Sequence, residues 1–293
     1  ALISVGIAVW ICLLTPPEGL TVEAIRFIGC FMGGMLLCVF RSIPDWLASL
    51  AALMALVLLK VGSFAAVFAP FSGTTLWLII PAYGIACVVG KTGLLKRIAL
   101  HILSWFPDSF TGQVSALFVA GIIISPCIPS TLAKMSIFAP FTEQVATEMG
   151  YERNSKGAAG LFLSQWVSAG LLGYGFYSGS FAVAMMLGLT PIEDQAYFNW
   201  GTWLATCAAW LVVMTVLSYI FILLVYKPKT GGKLPKGFTK GKVKELGPMS
   251  KDEKKAAVVL IIILLAWIGE GWHGIAACYV AIMGWIVFGL LGM

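Results

Sequence analysis

Charge is scarce in this chain of 293 residues: Asp, Glu, Lys and Arg together make up 11%, against about 25% in ordinary soluble domains. With 60% hydrophobic residues and a mean hydropathy of +0.95, the chain belongs in a bilayer. Histidine is nearly missing. His101 and His273 are the two present, far apart in sequence, which leaves haem and di-metal chemistry without ligands. The seven cysteines form no Cys-x-x-Cys pair and lie in or beside apolar segments, so neither a disulfide framework nor a zinc site is indicated. The first apolar run, Ile3–Leu14, has no basic flank and no small-residue cleavage site, and does not read as a secretory signal. The sequence opens on Ala and is expected to begin inside a longer natural chain. The apolar segments hold almost no Asp, His or nucleophile–base pair, which argues against an integral-membrane enzyme. The net charge of +6 is concentrated in one loop and is no nucleic-acid signal.

What is present is a series of apolar segments. A span needs about 20 such residues, fewer if it is broken or re-entrant. The candidates are Leu2–Leu14, Val22–Phe40, Trp46–Val61, Thr75–Gly90, Gly112–Ser125, Thr131–Thr142, Ala158–Leu172, Tyr174–Leu189, Trp200–Tyr226, Ala256–Ile268 and Ile275–Leu291. Two pairs are too short to stand as independent spans. Gly112–Ser125 and Thr131–Thr142 fit a helical hairpin that enters and leaves by one side. Ala158–Leu172 and Tyr174–Leu189 fit one long span with a central break. Between the first pair lies Ser125-Pro126-Cys127-Ile128-Pro129-Ser130-Thr131, and between the second Gly173-Tyr174-Gly175-Phe176-Tyr177-Ser178-Gly179-Ser180. Prolines and glycines at that depth free peptide groups from their intrahelical partners. Hydrocarbon tolerates this only where protein or a water-filled cavity covers them. Broken helices near the midplane are where secondary transporters build their sites.

Lysine and arginine set the orientation. Lys227–Lys255 holds ten lysines against Glu245, Asp252 and Glu253 and reads as a flexible cytoplasmic loop. Working back from it, Thr190–Asn199, with Glu193 and Asp194 and no base, falls outside. With the hairpin in place, all bases but Arg26, Lys60 and Lys134 fall on the cytoplasmic side. A topology without it would flip half of these loops. Leu94–Phe106 carries a basic turn and an apolar face and reads as an amphipathic helix at the cytoplasmic interface. The alternative is the inner end of the preceding span.

These strings resemble a known family. Lys91-Thr92-Gly93-Leu94-Leu95-Lys96-Arg97-Ile98-Ala99-Leu100, followed by Pro126-Cys127-Ile128-Pro129-Ser130-Thr131-Leu132-Ala133-Lys134, is similar to the divalent anion/sodium symporters, which include di- and tricarboxylate, citrate and sulfate carriers. Phe176-Tyr177-Ser178-Gly179-Ser180 resembles the broken-span element of that family, and Trp267, Trp272, His273 and Gly274 resemble the start of its second half. There are departures. Where the family usually has Ser-Asn-Thr at the hairpin tip, this chain has Ser130-Thr131-Leu132, and Val183 stands nearest the asparagine that often follows the broken-span glycine. The family usually carries arginine at the position of Lys134. The resemblance implies an all-α integral membrane protein, the inverted-repeat half of a secondary transporter with a re-entrant hairpin and a broken helix. It implies residues 1–106 as scaffold spans and interfacial helix, and 107–226 as transport region (hairpin 107–150, broken span 155–190, following span 200–226). It implies 227–255 as cytoplasmic loop and 256–293 as the truncated start of a second repeat. It further implies sodium as coupling ion, an elevator motion and a homodimer in a bacterial-type inner or plasma membrane.

Ser130 and Thr131 offer hydroxyls and freed amides to an anion, at the positive end of the helix that begins there; the plainer reading is an N-cap serine. Ser178, Gly179 and Ser180 suit an unwound site, or close helix packing. The expected substrate-binding set is Ser130, Thr131, Ser178 and Ser180. The expected sodium set is Ser130, Thr131, Gly179 and Ser125, since a hard cation prefers oxygen; Ser125 could equally bond back to its own helix. Gly173 and Gly175 are weaker candidates for the same site, with helix packing as the alternative reading. Lys134 is an intramembrane charge and so a suspect partner for substrate charge, with snorkelling or a bond to carbonyls at the broken helix as the structural alternative. Glu143, Glu148, Arg153 and Lys156 read as solvated charges at the hairpin mouth. Glu270 and His273 lie near the outer surface, and the tryptophans fit an interfacial belt. The reading is carriage of a small anion (dicarboxylate, tricarboxylate or sulfate-like) by sodium symport. The alternatives are a proton-coupled or sodium-independent exchanger and a non-transporting membrane subunit. No nucleic acid is expected as a partner.

Overall fold

The computed structural model describes residues 1–195, 197–228 and 232–293. Ala196 of the acidic loop, and Lys229, Thr230 and Gly231 of the basic loop, lie outside the described residues. The described chain is helical, with no strand. Two compact units divide it, residues 1–73 and 74–293.

The first unit contains α1 (Leu2–Cys12), α2 (Val22–Val39), α3 (Asp45–Leu58) and the short α4 (Phe64–Phe68). Thr21 caps α2 by accepting a bond from the Ala24 amide at 3.2 Å, and Glu23 in its first turn suits the positive end of the helix. Small residues let the helices approach: a methyl on Gly33 would sit 2.6 Å from Cβ of Ala8, and one on Gly34 2.8 Å from Cβ of Ala52. Arg26 donates to the Leu59 carbonyl at 3.0 Å, so it satisfies the open end of α3.

The second unit runs through α5 (Thr74–Thr92), α6 (Leu94–Ser104), α7 (Phe110–Ile124), α8 (Thr131–Glu148), α9 (Lys156–Gln165) and α10 (Phe181–Leu189). It continues with the single turn α11 (Ile192–Gln195), α12 (Trp200–Val225), α13 (Phe238–Glu245), α14 (Lys251–Ile268), α15 (Glu270–His273) and α16 (Ala277–Leu290). Among the described residues, four helical segments, Val22–Val39, Thr74–Thr92, Phe110–Cys127 and Trp200–Val225, are long and apolar enough to cross a membrane. Gly93, at φ +82°, stops α5 and turns the chain into α6. Leu94–Ser104, most of the expected Leu94–Phe106 stretch, is thus a helix of its own rather than the end of α5. It buries Leu95, Leu100 and Leu103, while His101 and Trp105 stay exposed.

Within this unit the helices end at two levels. At one, a cavity of about 350 Å³ is lined by Thr74, Thr75, Leu187, Asn199, Glu270 and Ala277, so the starts of α5, α12 and α16 meet the end of α10. At the other, Lys91, Thr92, Ser250 and Met293 line a common cavity, joining the end of α5, the start of α14 and the end of α16. The first level is acidic, with Glu270 in its cavity wall. The second carries Lys91, Lys96, Arg97 and the lysines of α13 and α14.

Two expectations are corrected. The basic segment is not a plain loop: it contains α13, and α14 begins at Lys251 rather than Ala256. The cause is a capping box, in which Ser250 Oγ accepts the Glu253 amide at 3.0 Å while the Glu253 carboxylate accepts the Ser250 amide at 2.7 Å. The tryptophans are not all a surface belt either. Trp200 and Trp267 are buried, and Trp267 donates its indole N–H to the Ala277 carbonyl at 3.0 Å.

Arg97 ties the basic end together. Its Nε meets Glu253 Oε1 at 2.8 Å and its Nη2 meets Oε2 at 3.1 Å, while Nη1 donates to the Gly247 carbonyl at 2.8 Å and Nη2 to that of Leu246 at 3.2 Å. This fork-on-carboxylate geometry is the strong form of an ion pair. The bonds from Arg97 hold the Glu253 carboxyl below its ordinary value of 4.5. A depressed carboxyl stabilises the fold fully above its unfolded pKa, and that contribution is lost as pH falls through the folded value. Replacing Arg97 with Met should therefore cost roughly 3 kcal/mol, because it leaves a buried carboxylate unpaired. The detergent-solubilised wild type should lose melting temperature as pH drops below the ordinary glutamate range, and R97M should lose less over the same interval.

Candidate functional site

Both sequence breaks exist as breaks in the structure. After α7 the chain takes one tight turn, Ser125–Cys127, then extends at Ile128 (φ −135°, ψ 116°) before α8 starts. After α9 it widens to a π segment, Trp166–Leu171, tightens at Leu172–Gly175, and extends at Phe176 before α10. The two breaks lie against one another. The Phe181 amide donates to the Pro129 carbonyl at 2.9 Å, and the Ser178 hydroxyl donates to the Pro126 carbonyl at 2.8 Å. Each break thereby supplies the partners that the other's interrupted helix lacks.

Two helices begin at this crossing. Ser130 caps α8 by accepting the Ala133 amide at 3.3 Å, and Ser180 caps α10 by accepting the Ala182 amide at 3.3 Å. The N-cap reading of Ser130 therefore holds. The structure brings Ser130, Ser178, Gly179 and Ser180 into one neighbourhood with Lys134. Thr131 is half-buried and its methyl would lie 3.3 Å from a Cβ on Gly170. Leu132 stands 84% exposed. Ser125 is set back from the tip: its hydroxyl donates to the carbonyls of Ala169 at 3.1 Å and Ser168 at 3.3 Å, so it bonds to the neighbouring π segment rather than to its own helix. A π segment leaves carbonyls displaced from the regular ladder, and Ser125 takes up two of them.

Lys134 has no exposure. Its Nζ donates to the Gly179 carbonyl at 2.7 Å. The ammonium fits because Gly173 has no side chain: a Cβ there would meet Nζ at 2.8 Å and Ser125 Oγ at 3.4 Å. Gly179 is required for the same closeness, since its Cβ would fall 2.2 Å from the Gly173 carbonyl oxygen. Gly175, by contrast, faces Leu211, a packing contact.

Several partners carry no motif of their own. Trp200, at the start of α12, donates its indole N–H to Ser178 Oγ at 3.3 Å. Ser168 Oγ donates to the Leu117 carbonyl at 3.0 Å, and the buried Thr142 hydroxyl bonds Gln165. Glu270 accepts the amides of Ala277 at 3.1 Å and Trp200 at 3.3 Å, the first residues of α16 and α12. Burial raises its carboxyl above the ordinary value, and those two amides oppose the rise. His273 bonds locally, to the Ala266 carbonyl at 2.7 Å. Glu143 and Arg153 are mostly exposed, with 3.8 Å between their charged atoms.

Cavities flank the crossing. The acidic-end cavity shares Leu78, Tyr177 and Ala184 with a void of about 10 Å³ lined by Pro129, Ser178, Ser180 and Phe181. A cavity of about 580 Å³ opens beside Thr142, Tyr151 and Arg153. The two ends of the 107–150 stretch also come together. The Phe110 and Tyr151 rings meet edge-on at 6.1 Å, the Leu234 amide donates to the Asp108 carbonyl at 2.9 Å, and a Cβ on Gly232 would touch the Met149 carbonyl at 2.3 Å. Between those ends, α9 and its π continuation pack on both α7 and α8.

A family model described as the sodium:sulfate symporter transmembrane region matches residues 1–292. Among curated relatives, chloroplastic dicarboxylate transporter 1 of Spinacia oleracea is 27% identical over 303 residues, covering all of this chain and 52% of its own length. The Arabidopsis thaliana protein of the same name is 28% identical over 304 residues, covering all of this chain and 53% of its own. The inner membrane protein YbhI of Escherichia coli is 26% identical over 289 residues, covering 94% and 60% respectively. The chain thus spans about half the length of the chloroplast relatives.

Replacing Gly179 with Ala should lower stability by about 2 kcal/mol, because backbone rather than a flexible side chain meets the new methyl. Gly90→Ala, where nothing lies within 4 Å, should leave the melting temperature unchanged or raised. Thermal unfolding of the two variants in detergent reads the difference directly.

Proposed function

The chain belongs to the sodium:sulfate symporter family, and from that premise we propose that it forms part of a membrane carrier for a small dicarboxylate-type anion. The observation that carries this reading is the bond from the Phe181 amide to the Pro129 carbonyl. It sets the starts of α8 and α10 side by side, each capped by a serine. Helix starts carry partial positive charge and unpaired amides, which favour an anion. Paired at a break inside a membrane domain, they match the way carriers bind charged solutes. The relatives' names supply the dicarboxylate class. Ser130, Thr131, Ser178 and Ser180 are the proposed substrate contacts.

The 107–150 stretch is the proposed re-entrant hairpin. Its support is the 6.1 Å approach of Phe110, near its start, to Tyr151, just past its end. The basic end is the proposed cytoplasmic face, in keeping with the lysine and arginine bias. Movement of hairpin and broken span as an elevator, and a homodimer built by the scaffold spans, rest on the family resemblance. Sodium coupling rests on the family description, with Ser130, Thr131, Gly179 and Ser125 as its proposed ligands. Exchange without sodium is the second reading, and one observation favours it: Lys134 already occupies the Gly179 carbonyl.

Two measurements test this. With the protein expressed from its complete reading frame, malate should raise the melting temperature and labelled malate should enter proteoliposomes. A folded protein that neither binds nor moves malate, citrate or sulfate would remove the carrier reading. In a background without native cysteines, Asp108→Cys and Glu152→Cys should both react with an impermeant reagent from one face of the membrane. Labelling from opposite faces would remove the hairpin.

A further inference from the structure

The first turn of α12 holds the second break with two indoles. Trp200 donates to Ser178 Oγ at 3.3 Å, and Trp203 donates to the Tyr174 carbonyl at 3.1 Å. The Trp200 ring lies 6.3 Å from that of Phe176, and the Trp203 ring 6.3 Å from that of Tyr177. Ser178 carries the link on to the Pro126 carbonyl. The position of the first turn of α12 therefore bears on how the two breaks cross, and with it on the paired starts of α8 and α10. That first turn is tied in its own right to a carboxylate on another segment. Glu270 Oε2 accepts the Trp200 amide at 3.3 Å, and Oε1 accepts the Ala277 amide at 3.1 Å. An oxygen acceptor at a helix start is ordinarily a cap, and α16 has no side-chain cap from its own N-cap residue. For α12 a cap is already present, because Asn199 and Thr202 form a capping box. The bond to the Trp200 amide is thus an additional contact, made across 70 residues, and it joins the start of α16 to that of α12.

We propose that Glu270 is a positioning residue of the anion site: through the Trp200 amide and indole its ionised carboxylate holds Ser178 against Pro126, and its protonation releases that hold and weakens the site's grip on the anion. This rests on the anion-carrier reading. An ionised carboxylate is acceptor only, whereas a protonated one turns an O–H donor toward one of its partners, so one of the two amides then loses its bond. Glu270 is half-buried in the wall of the acidic-end cavity, open to protons from that end. The titratable groups near it are Tyr177 of the second break, Cys278 of α16 and His273 of its own turn, while Glu193 and Asp194 of α11 are exposed. Thr74, Thr75, Gln195 and Asn199 in the cavity wall carry no charge. Burial lifts the Glu270 carboxyl above its ordinary value of 4.5, so the release falls above that pH.

The test uses proteoliposomes of the protein from its complete reading frame, with the same pH on both sides and labelled malate outside. Near neutral pH, Glu270→Gln should raise the KM for malate about fivefold, the worth of one net hydrogen bond, with the maximal rate held within about twofold. Trp200→Phe keeps a ring and drops the indole donor, and should do the same. The double variant should match either single variant rather than multiply the two effects. A role confined to folding would lower the melting temperature and leave KM in place. As pH falls toward the ordinary glutamate range, the wild-type KM divided by that of Glu270→Gln should rise to one. The division cancels the titration of malate and of His273, which both proteins share. An unchanged KM in either variant, multiplied effects in the double variant, or a ratio independent of pH would overturn the inference and leave the carrier reading standing. No uptake of malate, citrate or sulfate by the wild type would overturn the carrier reading and this inference with it. Should Glu270→Gln fail to fold, Trp200→Phe takes its place: the wild-type KM should converge on that of Trp200→Phe as pH falls, and parallel profiles would overturn the proposal.

Discussion

Every peptide group inside hydrocarbon needs a partner, and in this chain two interrupted helices supply partners to each other. The Pro129 carbonyl takes the Phe181 amide, the Pro126 carbonyl takes the Ser178 hydroxyl, and the Gly179 carbonyl takes the Lys134 ammonium. Alone, either break would expose groups that cost several kcal/mol each in a bilayer. Together they close, and the remaining geometry follows. The glycines at 173 and 179 are needed because the backbones touch, and the serines at 130 and 180 because two helices start there. The π segment before the second break is needed to offer carbonyls to Ser125. The site is therefore a joint between two imperfect helices rather than a pocket cut into a finished core.

The basic end is organised by a different kind of bond. Arg97 does the work there of several loop contacts, joining α6 to α14 and gathering the carbonyls at Leu246 and Gly247. Its position is compatible with a charged group because the Glu253 carboxylate and the loop carbonyls meet the guanidinium. The crossing has no such relief. Lys134 and Arg97 are both buried bases, yet Arg97 has a carboxylate built in beside it, whereas Lys134 meets a backbone carbonyl.

Much of the site was legible from residue order. Proline, serine and glycine within apolar segments announced both breaks. Ser250-x-x-Glu253 is a capping box in plain sequence, and reading it would have placed the start of α14 correctly and shortened the supposed loop. Other features had no local signal. Nothing about Trp200 says that its indole reaches Ser178, because that bond spans 22 residues and depends on how α12 packs. Gly173 looked like any packing glycine; its importance comes from a lysine 39 positions earlier whose ammonium needs the space. Long-range partners of single polar side chains follow from tertiary packing, which one sequence does not encode position by position.

The Ser178 hydroxyl holds three segments at once. It gives its proton to Pro126 and receives one from Trp200, so the first break, the second break and the root of the 26-residue α12 meet on a single oxygen. Turning one side-chain torsion would release both bonds together. Hydrogen bonds of this kind each contribute about 1 kcal/mol net, within reach of thermal motion, whereas the backbone pairing beside them is reinforced by the helices on either side. The fold thus has a weak latch next to a firm hinge, and the first event when the site yields would be the swing of one rotor no larger than a methanol molecule.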